Sequence, residues 1–190
     1  MCGIAGFIGN GEAAPTVLKA LKKLEYRGYD SAGMATISNG KLSFGKDTGK
    51  LAEVEQKQHL DRLPGRVGIG HVRWATHGAV TPINAHPHFD CKEEIAVVHN
   101  GIIENHQQLR RRLERKYKFV SETDTEVIPH LIREFMEMGS SLEQAMQHTV
   151  KELRGTYAIL AISASEPGKL VAARKDSPLV VGIGAGENFI

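Results

Sequence analysis

Two cysteines and one tryptophan are the whole complement of either residue in this 190-residue chain. Two cysteines cannot build a disulfide framework, so the fold must rest on a packed core, and a reducing, cytoplasmic setting that keeps thiols free fits best. Long apolar runs are missing too. The best candidate, "YAILAI" at 157–162, falls far short of a bilayer span. The N-terminal apolar stretch lacks a basic lead-in and dissolves into "GNGE", so it does not read as a signal peptide. Charge of one sign is not in excess: 24 basic residues face 22 acidic ones, which leaves no electrostatic footprint for nucleic acid or an anionic membrane. The densest basic stretch, "LRRRLERKYK" at 109–118, spaces Leu109, Leu113 and Tyr117 by four. That spacing predicts an amphipathic helix whose arginines form the wet face.

What is present is an ordinary globular composition, 41% hydrophobic and 24% charged, in a chain long enough for one domain with a real core. "CGIAGFIG" (2–9) reads as a buried strand. "PTVLKALKKLEY" (15–26) puts Val17, Leu18, Leu21 and Leu24 on one helical face, with Pro15 tolerated in the first turn. Asn39-Gly40 between "AGMATIS" and "KLSFGKD" is a strong two-residue hairpin signal. A polar helix is predicted over roughly 50–61. "RVGIGHVRW" (66–74) alternates as a strand, and "EIAVVHNG" (94–101) reads as another that stops at a turn. Between them, 75–92 is rich in proline and histidine and longer than most connections, which predicts a functional loop. Helices are predicted at about 105–117, 124–138 and 141–152, with capping-box spacing at Thr123/Glu126 and Ser141/Gln144. The apolar runs "TYAILAI", "KLVAA" and "PLVVGIG" close the chain. Strands outnumber helices and the helices cluster, so the expected class is α+β in layers. The final "GENFI" ends on apolar residues, as a cut inside a larger fold would.

Cys2 is the most informative residue. Its position at the chain terminus suits a nucleophile if Met1 is removed, because the new α-amine, with a pKa of about 7.7–8.0, can take the thiol proton and return it to a leaving group. A cysteine buried as a small hydrophobe is the plain alternative. "HNG" (99–101) offers a side-chain amide, Asn100, and a backbone N–H, Gly101, as a pair of oxyanion donors, or else an ordinary Asn-Gly turn. Arg73 in "RWATHG" (73–78) can grip a carboxylate as a fork, with Thr76 and His77 completing the grip, or form a surface ion pair. Asp124, expected in the first turn of a helix, either compensates the helix dipole or holds a substrate ammonium.

Several segments together carry a resemblance. "MCGI", "LEYRGYDSAG" (24–33), "GIGHVRWATHG" (68–78), "NAHPH" (84–88), "VVHNGIIEN" (97–105), "SETDTE" (121–126), "LRGTYA" (153–158) and "ARKDSPLVVG" (173–182) are similar to the N-terminal glutaminase domain of the isomerising glutamine–fructose-6-phosphate aminotransferase family. "CGI" alone marks only the wider class of N-terminal-nucleophile amidotransferases; "EYRGYDSAG" with "RWATHG" is narrower. The resemblance runs the whole chain and implies a four-layer αββα sandwich, over 1–190, of a glutamine amidotransferase domain that is incomplete at its C-terminus. It implies glutamine as substrate, no cofactor, ammonia passed to fructose 6-phosphate by a sugar-isomerase region absent here, and a homo-oligomeric full enzyme. Residue by residue, it makes Cys2 the nucleophile, Asn100 and Gly101 the oxyanion hole, Arg73, Thr76 and His77 the α-carboxylate site, and Asp124 the α-ammonium site. Trp74 falls on a loop that closes over glutamine, Arg27, Gly28 and Tyr29 on a second stretch near the nucleophile, and His86 organises the 75–92 loop.

Two other readings stay open. Cys2, Cys91, His71, His77, His86, His88 and His99 are enough ligands for a metal on paper, but only His86 and His88 are close in sequence and no CxxC or HExxH spacing exists. A glutamine-binding module without turnover is the second. "GIGAGE" (182–187) lacks the GxGxxG spacing of a phosphate cradle, and close strand packing explains its glycines. Pro129 conflicts with a helix begun at Thr123, so that helix starts later or kinks.

Overall fold

The structure is a computed structural model, and it describes residues 2–75 and 78–190. Two antiparallel sheets lie face to face. The first contains β1 (Gly3–Gly9), β2 (Ser31–Ser38), β3 (Lys41–Thr48), β4 (Val67–Arg73), β9 (Gly182–Ile183) and β10 (Glu187–Phe189), in the order β3-β2-β4-β1-β10-β9. The second contains β5 (His88–Phe89), β6 (Ile95–Ile103), β7 (Gly155–Ser163) and β8 (Leu170–Lys175), in chain order. Helices α1 (Ala13–Leu24) and α2 (Leu51–Gln58) cover the first sheet; α3 (His106–Leu113), α4 (Val127–Glu137) and α5 (Leu142–Glu152) cover the second.

The layering follows from period-two alternation in strands that are buried on both faces. In β1, Ala5 and Phe7 pack with Val17, Leu18 and Leu21 of α1, whereas Ile4 and Ile8 join Val67 and Ile69 of β4 between the sheets. In β6, Ile95 and Val97 meet Ile128, Leu131 and Ile132 of α4, while Ala96 and Val98 face the first sheet with Leu160 and Ile162 of β7. This is the four-layer αββα arrangement that the resemblance implied.

The hairpin at Asn39-Gly40 is present, both residues having positive φ (50° and 69°) as a two-residue turn requires. The capping box at Ser141 and Gln144 is present too. The box at Thr123 and Glu126 is not: α4 starts at Val127, with no side-chain cap on Glu126. Pro129 is therefore in the first turn, where it removes no helical bond. Asp124 precedes the helix instead of lying in its first turn.

Other expectations are corrected as well. β4 alternates as expected, but between two buried faces, with Val67 and Ile69 between the sheets and Val72 on the α1 side. β6 does not stop at a turn after Gly101; it pairs with β7 through Ile103. α3 ends at Leu113, although Tyr117 is still buried. In the apolar run "PLVVGIG", Val180, Val181 and Ile183 are exposed; Gly182 is paired in β9, and Gly184 and Gly186 lie in the turn of the β9–β10 hairpin. Among the described residues, no helix is long and apolar enough to cross a membrane.

Candidate active site

Three rows of side chains between the sheets change from apolar to polar at the same end. On β1 the row runs Ile8, Gly6, Ile4 and then Cys2, one residue before the strand. On β4 it runs Val67, Ile69, His71, Arg73; on β6, Ala96, Val98, Asn100. β1 and β4 are antiparallel with Gly3 opposite Val72, so the start of one lies beside the end of the other. A terminal cysteine, an arginine and an asparagine meet there because their strands alternate in phase.

Among the described residues, Cys2 Sγ is held by Trp74. It donates to the carbonyl oxygen of Trp74 at 3.3 Å and accepts from the Trp74 N–H at 3.2 Å. Burial pushes the thiol above its ordinary pKa, against the lowering pull of the Trp74 backbone bond, the terminal amine and Arg73. The Cys2 carbonyl accepts from Arg27 Nε and from Asn100 Nδ2, both at 3.3 Å.

Asn100 has a defined amide orientation. His71 Nε2 lies 3.1 Å from the His99 carbonyl oxygen and 3.0 Å from Asn100 Oδ1. A carbonyl can only accept, so Nε2 must carry the proton, and the Asn100 atom facing it must be the oxygen. The Asn100 NH₂ group therefore faces Cys2. Burial pushes His71 down to about 3, which keeps its ring neutral. His86 stacks on it at 4.0 Å with planes 11° apart, and His88 meets His86 edge-on at 4.6 Å. Burial holds both well below the usual histidine range. Gly101 has φ +131°, and a Cβ there would lie 2.0 Å from the Thr156 carbonyl oxygen, so only glycine fits this strand position.

Arg73 is buried, its Nη1 donating to the Ala79 carbonyl at 3.5 Å. Asp124 is also buried and accepts from the Ile103 N–H at 2.7 Å. Cys2, Arg73, Trp74, His86, Gly101 and Asp124 line one cleft of about 30 Å³. A larger cavity of about 690 Å³ on the α3 surface is lined by Arg111, Arg112 and Arg115 and contains no nucleophile. Chemistry, not size, selects the small one.

The stretch 27–30 packs against residues that line this cleft: Arg27 Nε donates to the Cys2 carbonyl. Asp30 accepts from the Ala75 N–H at 2.8 Å, and the Asp30 N–H donates to the Arg73 carbonyl at 3.0 Å. Tyr29 and Trp74, both substantially exposed, meet edge to face at 5.4 Å. Thr76 and His77 lie outside the described residues.

Residues 71–190 match the family described as the glutamine amidotransferase domain. The chain belongs to that family. Isomerising glutamine–fructose-6-phosphate aminotransferases from Methanothermobacter thermautotrophicus and Pyrococcus horikoshii are 55% and 52% identical to it; each alignment covers 100% of this chain and 32% of the relative. This amidotransferase domain thus spans about a third of the length of those proteins. Among solved structures, the glutamine phosphoribosylpyrophosphate amidotransferase from B. subtilis complexed with ADP and GMP superposes with a TM-score of 0.85 at 28% identity, over 100% of this chain and 41% of that one. A class-II glutamine aminotransferase domain protein from Silicibacter pomeroyi shares the fold, with a TM-score of 0.61 at 14% identity.

Residue-type reasoning alone missed the positioning groups of the amidotransferase site. His71 and His99 were visible only as metal-ligand candidates and members of motifs, and Thr125, whose Oγ1 lies 2.9 Å from His99 Nδ1, only as a member of a motif. The available signal was phase: His71 lies two residues from Arg73 on an alternating strand. Among the described residues, no group of three or more histidine, cysteine, aspartate or glutamate side chains could hold a metal ion.

Proposed function

We propose that this domain hydrolyses glutamine to glutamate and ammonia through a thioester on Cys2. The observation that carries the reading is the meeting of Cys2, Arg73, Gly101 and Asp124 in one cleft, with the Asn100 NH₂ group beside it on the Cys2 carbonyl oxygen. After removal of Met1, the α-amine of Cys2 takes the thiol proton, a transfer made necessary by a thiol whose burial disfavours the thiolate. The sulfur attacks the side-chain amide carbon of glutamine and its electron pair forms the C–S bond. The carbonyl π pair moves to oxygen, where Asn100 Nδ2 and the Gly101 N–H stabilise the charge. The intermediate collapses, the C–N bond breaks, and the nitrogen leaves as ammonia with the proton returned by the α-ammonium. Water then attacks the thioester, releasing glutamate and restoring the thiol.

Arg73, Thr76 and His77 hold the α-carboxylate and Asp124 the α-ammonium, so that binding to groups that do not react fixes the orientation of the one that does. The cleft of about 30 Å³ is far smaller than a ligand pocket, so it must widen for glutamine to enter, and exposed Trp74, which lines it, is a side chain placed to move. His86 acts as a wall of the site, not as a proton carrier.

In a longer protein, residues 1–190 serve as the glutaminase part, and the ammonia passes to fructose 6-phosphate on a further region, in a cytoplasmic homo-oligomer. The relatives' names support the fructose 6-phosphate part of this reading, and their length, of which this chain covers 32%, supports the further region. The test is glutamate release by wild type and Cys2→Ala. Loss of release with glutamine binding retained supports the nucleophile; an unaffected rate overturns it, and binding without release by the wild type supports a binding module.

A further inference from the structure

The ammonium of Lys46, on β3, spends all three of its donors on one loop. It reaches the carbonyl oxygens of Ile83 at 3.3 Å, Ala85 at 2.7 Å and Pro87 at 2.9 Å, bracketing His86. The same loop is pressed against β2 at the residue paired with Lys46: a Cβ on Gly33 would lie 2.2 Å from the His86 carbonyl oxygen. The His86 backbone is thus held from two adjacent strands, and its ring is delivered onto His71.

His71 needs that wall. Both hydrogen bonds shown for it are made by Nε2, and its Nδ1 has no partner among the described residues, so bonds at one atom leave the ring free to pivot. The parallel face of His86 at 4.0 Å stops the pivot, and the fixed His71 N–H in turn fixes which end of the Asn100 amide faces Cys2.

We propose that Lys46 is a positioning residue for glutamine hydrolysis: by holding the 83–87 backbone it keeps His86 on His71, and through His71 keeps the NH₂ end of the Asn100 amide turned toward Cys2. The inference rests on the reading of Asn100 as an oxyanion donor. Lys46 touches neither nucleophile nor substrate. Burial pushes its pKa down to about 8, against Glu126 and Glu93, which raise it, and with Arg73, which lowers it further. The neutral amine has two N–H groups for three carbonyls, so the brace weakens as pH rises through that range.

The test compares the wild type, Lys46→Met and Lys46→Arg in steady-state glutamine hydrolysis, with the rate of Cys2 alkylation by iodoacetamide measured in parallel. Misplacement of a catalytic group by an ångström or less predicts that kcat of Lys46→Met falls by about tenfold to a hundredfold, with KM and alkylation little changed. Lys46→Arg recovers most of the rate and, staying charged, loses less of it than the wild type between pH 7 and 9 (on the order of one pH unit either side of the lysine value). Should Lys46→Met fail to fold, Lys46→Gln, which retains a single donor group, carries the same expectation. An unchanged kcat in the uncharged variant, or equal impairment of the methionine and arginine variants, overturns the proposal. A wild type that releases no glutamate overturns the parent reading instead.

Discussion

A Cβ on Gly28 would lie 2.6 Å from the carbonyl carbon of Arg73 and 2.7 Å from the amide nitrogen of Trp74. Both atoms are backbone, which cannot swing aside as a flexible side chain can. Gly28 is therefore where the stretch carrying Arg27, Tyr29 and Asp30 is seated against the end of β4. Gly28→Ala should separate the two, loosening the Asp30–Arg73 and Asp30–Ala75 bonds and the Trp74 backbone that holds Cys2 Sγ. The expected result is a stability loss of about 1–3 kcal/mol, as for other overpacked sites, together with reduced glutamate release. Thermal unfolding and a glutaminase assay check the two halves.

Asn100→Ala removes the NH₂ group aimed at Cys2 while leaving the thiol, Arg73 and Asp124 in place. Loss of one oxyanion donor predicts a fall in kcat of about two to three orders of magnitude, with glutamine affinity little changed. A fall of less than about tenfold would assign Asn100 to structure, because a donor used only in the transition state acts on kcat.

The thiol of Cys2 sets a pH dependence. Burial disfavours its charged form and raises its pKa, so at neutral pH the protonated thiol predominates. The rate of alkylation by iodoacetamide should accordingly keep rising with pH beyond the point where an ordinary cysteine levels off. A rate already at its plateau at pH 7 would mean a thiolate in the resting site and would remove the need for the α-amine as base.

Arg133 joins α4 to the turn before β6. Its Nε donates to Asp90 Oδ2 and its Nη2 to Glu94 Oε2, each at 2.7 Å. The Asp90 side chain is fully buried and also accepts from the N–H groups of Glu94 and Ile95 at 2.8 Å. Arg133→Ala strands that carboxylate in the interior, a change that costs about 3–5 kcal/mol in comparable buried pairs. Denaturant unfolding of the variant measures it. Replacing the more exposed partner, Glu94→Ala, should cost much less.

The parts of the fold legible in the sequence were those set by local chemistry. Asn39-Gly40 demands positive φ and produced its hairpin; Ser141 and Gln144 capped their helix. Identical spacing misled at Thr123 and Glu126 because tertiary partners took the side chains. Glu126 accepts from the N–H groups of Val120 and Ser121 and from the Ser121 hydroxyl, tying down the loop before the helix, while Thr123 Oγ1 pairs with His88. "HNG" read as a turn because its dipeptide favours one, yet nine-residue pairing with β7 carries the strand through it. In the site, Cys2, Arg73, Gly101 and Asp124 were legible as candidates through their chemistry and their resemblance, and the structure brings them to one cleft. The brace behind them was not, since Lys46, His86, His71 and Asn100 come from four separate segments that only the packed sheets bring together.

The most direct measurement is mass spectrometry of the processed protein after exposure to an electrophilic glutamine analogue such as a diazo-ketone, followed by peptide mapping. The account predicts a chain that begins at Cys2 and carries one adduct, on that sulfur, with glutamate release lost in proportion to labelling. Full labelling elsewhere, or continued hydrolysis with Cys2 blocked, would contradict it.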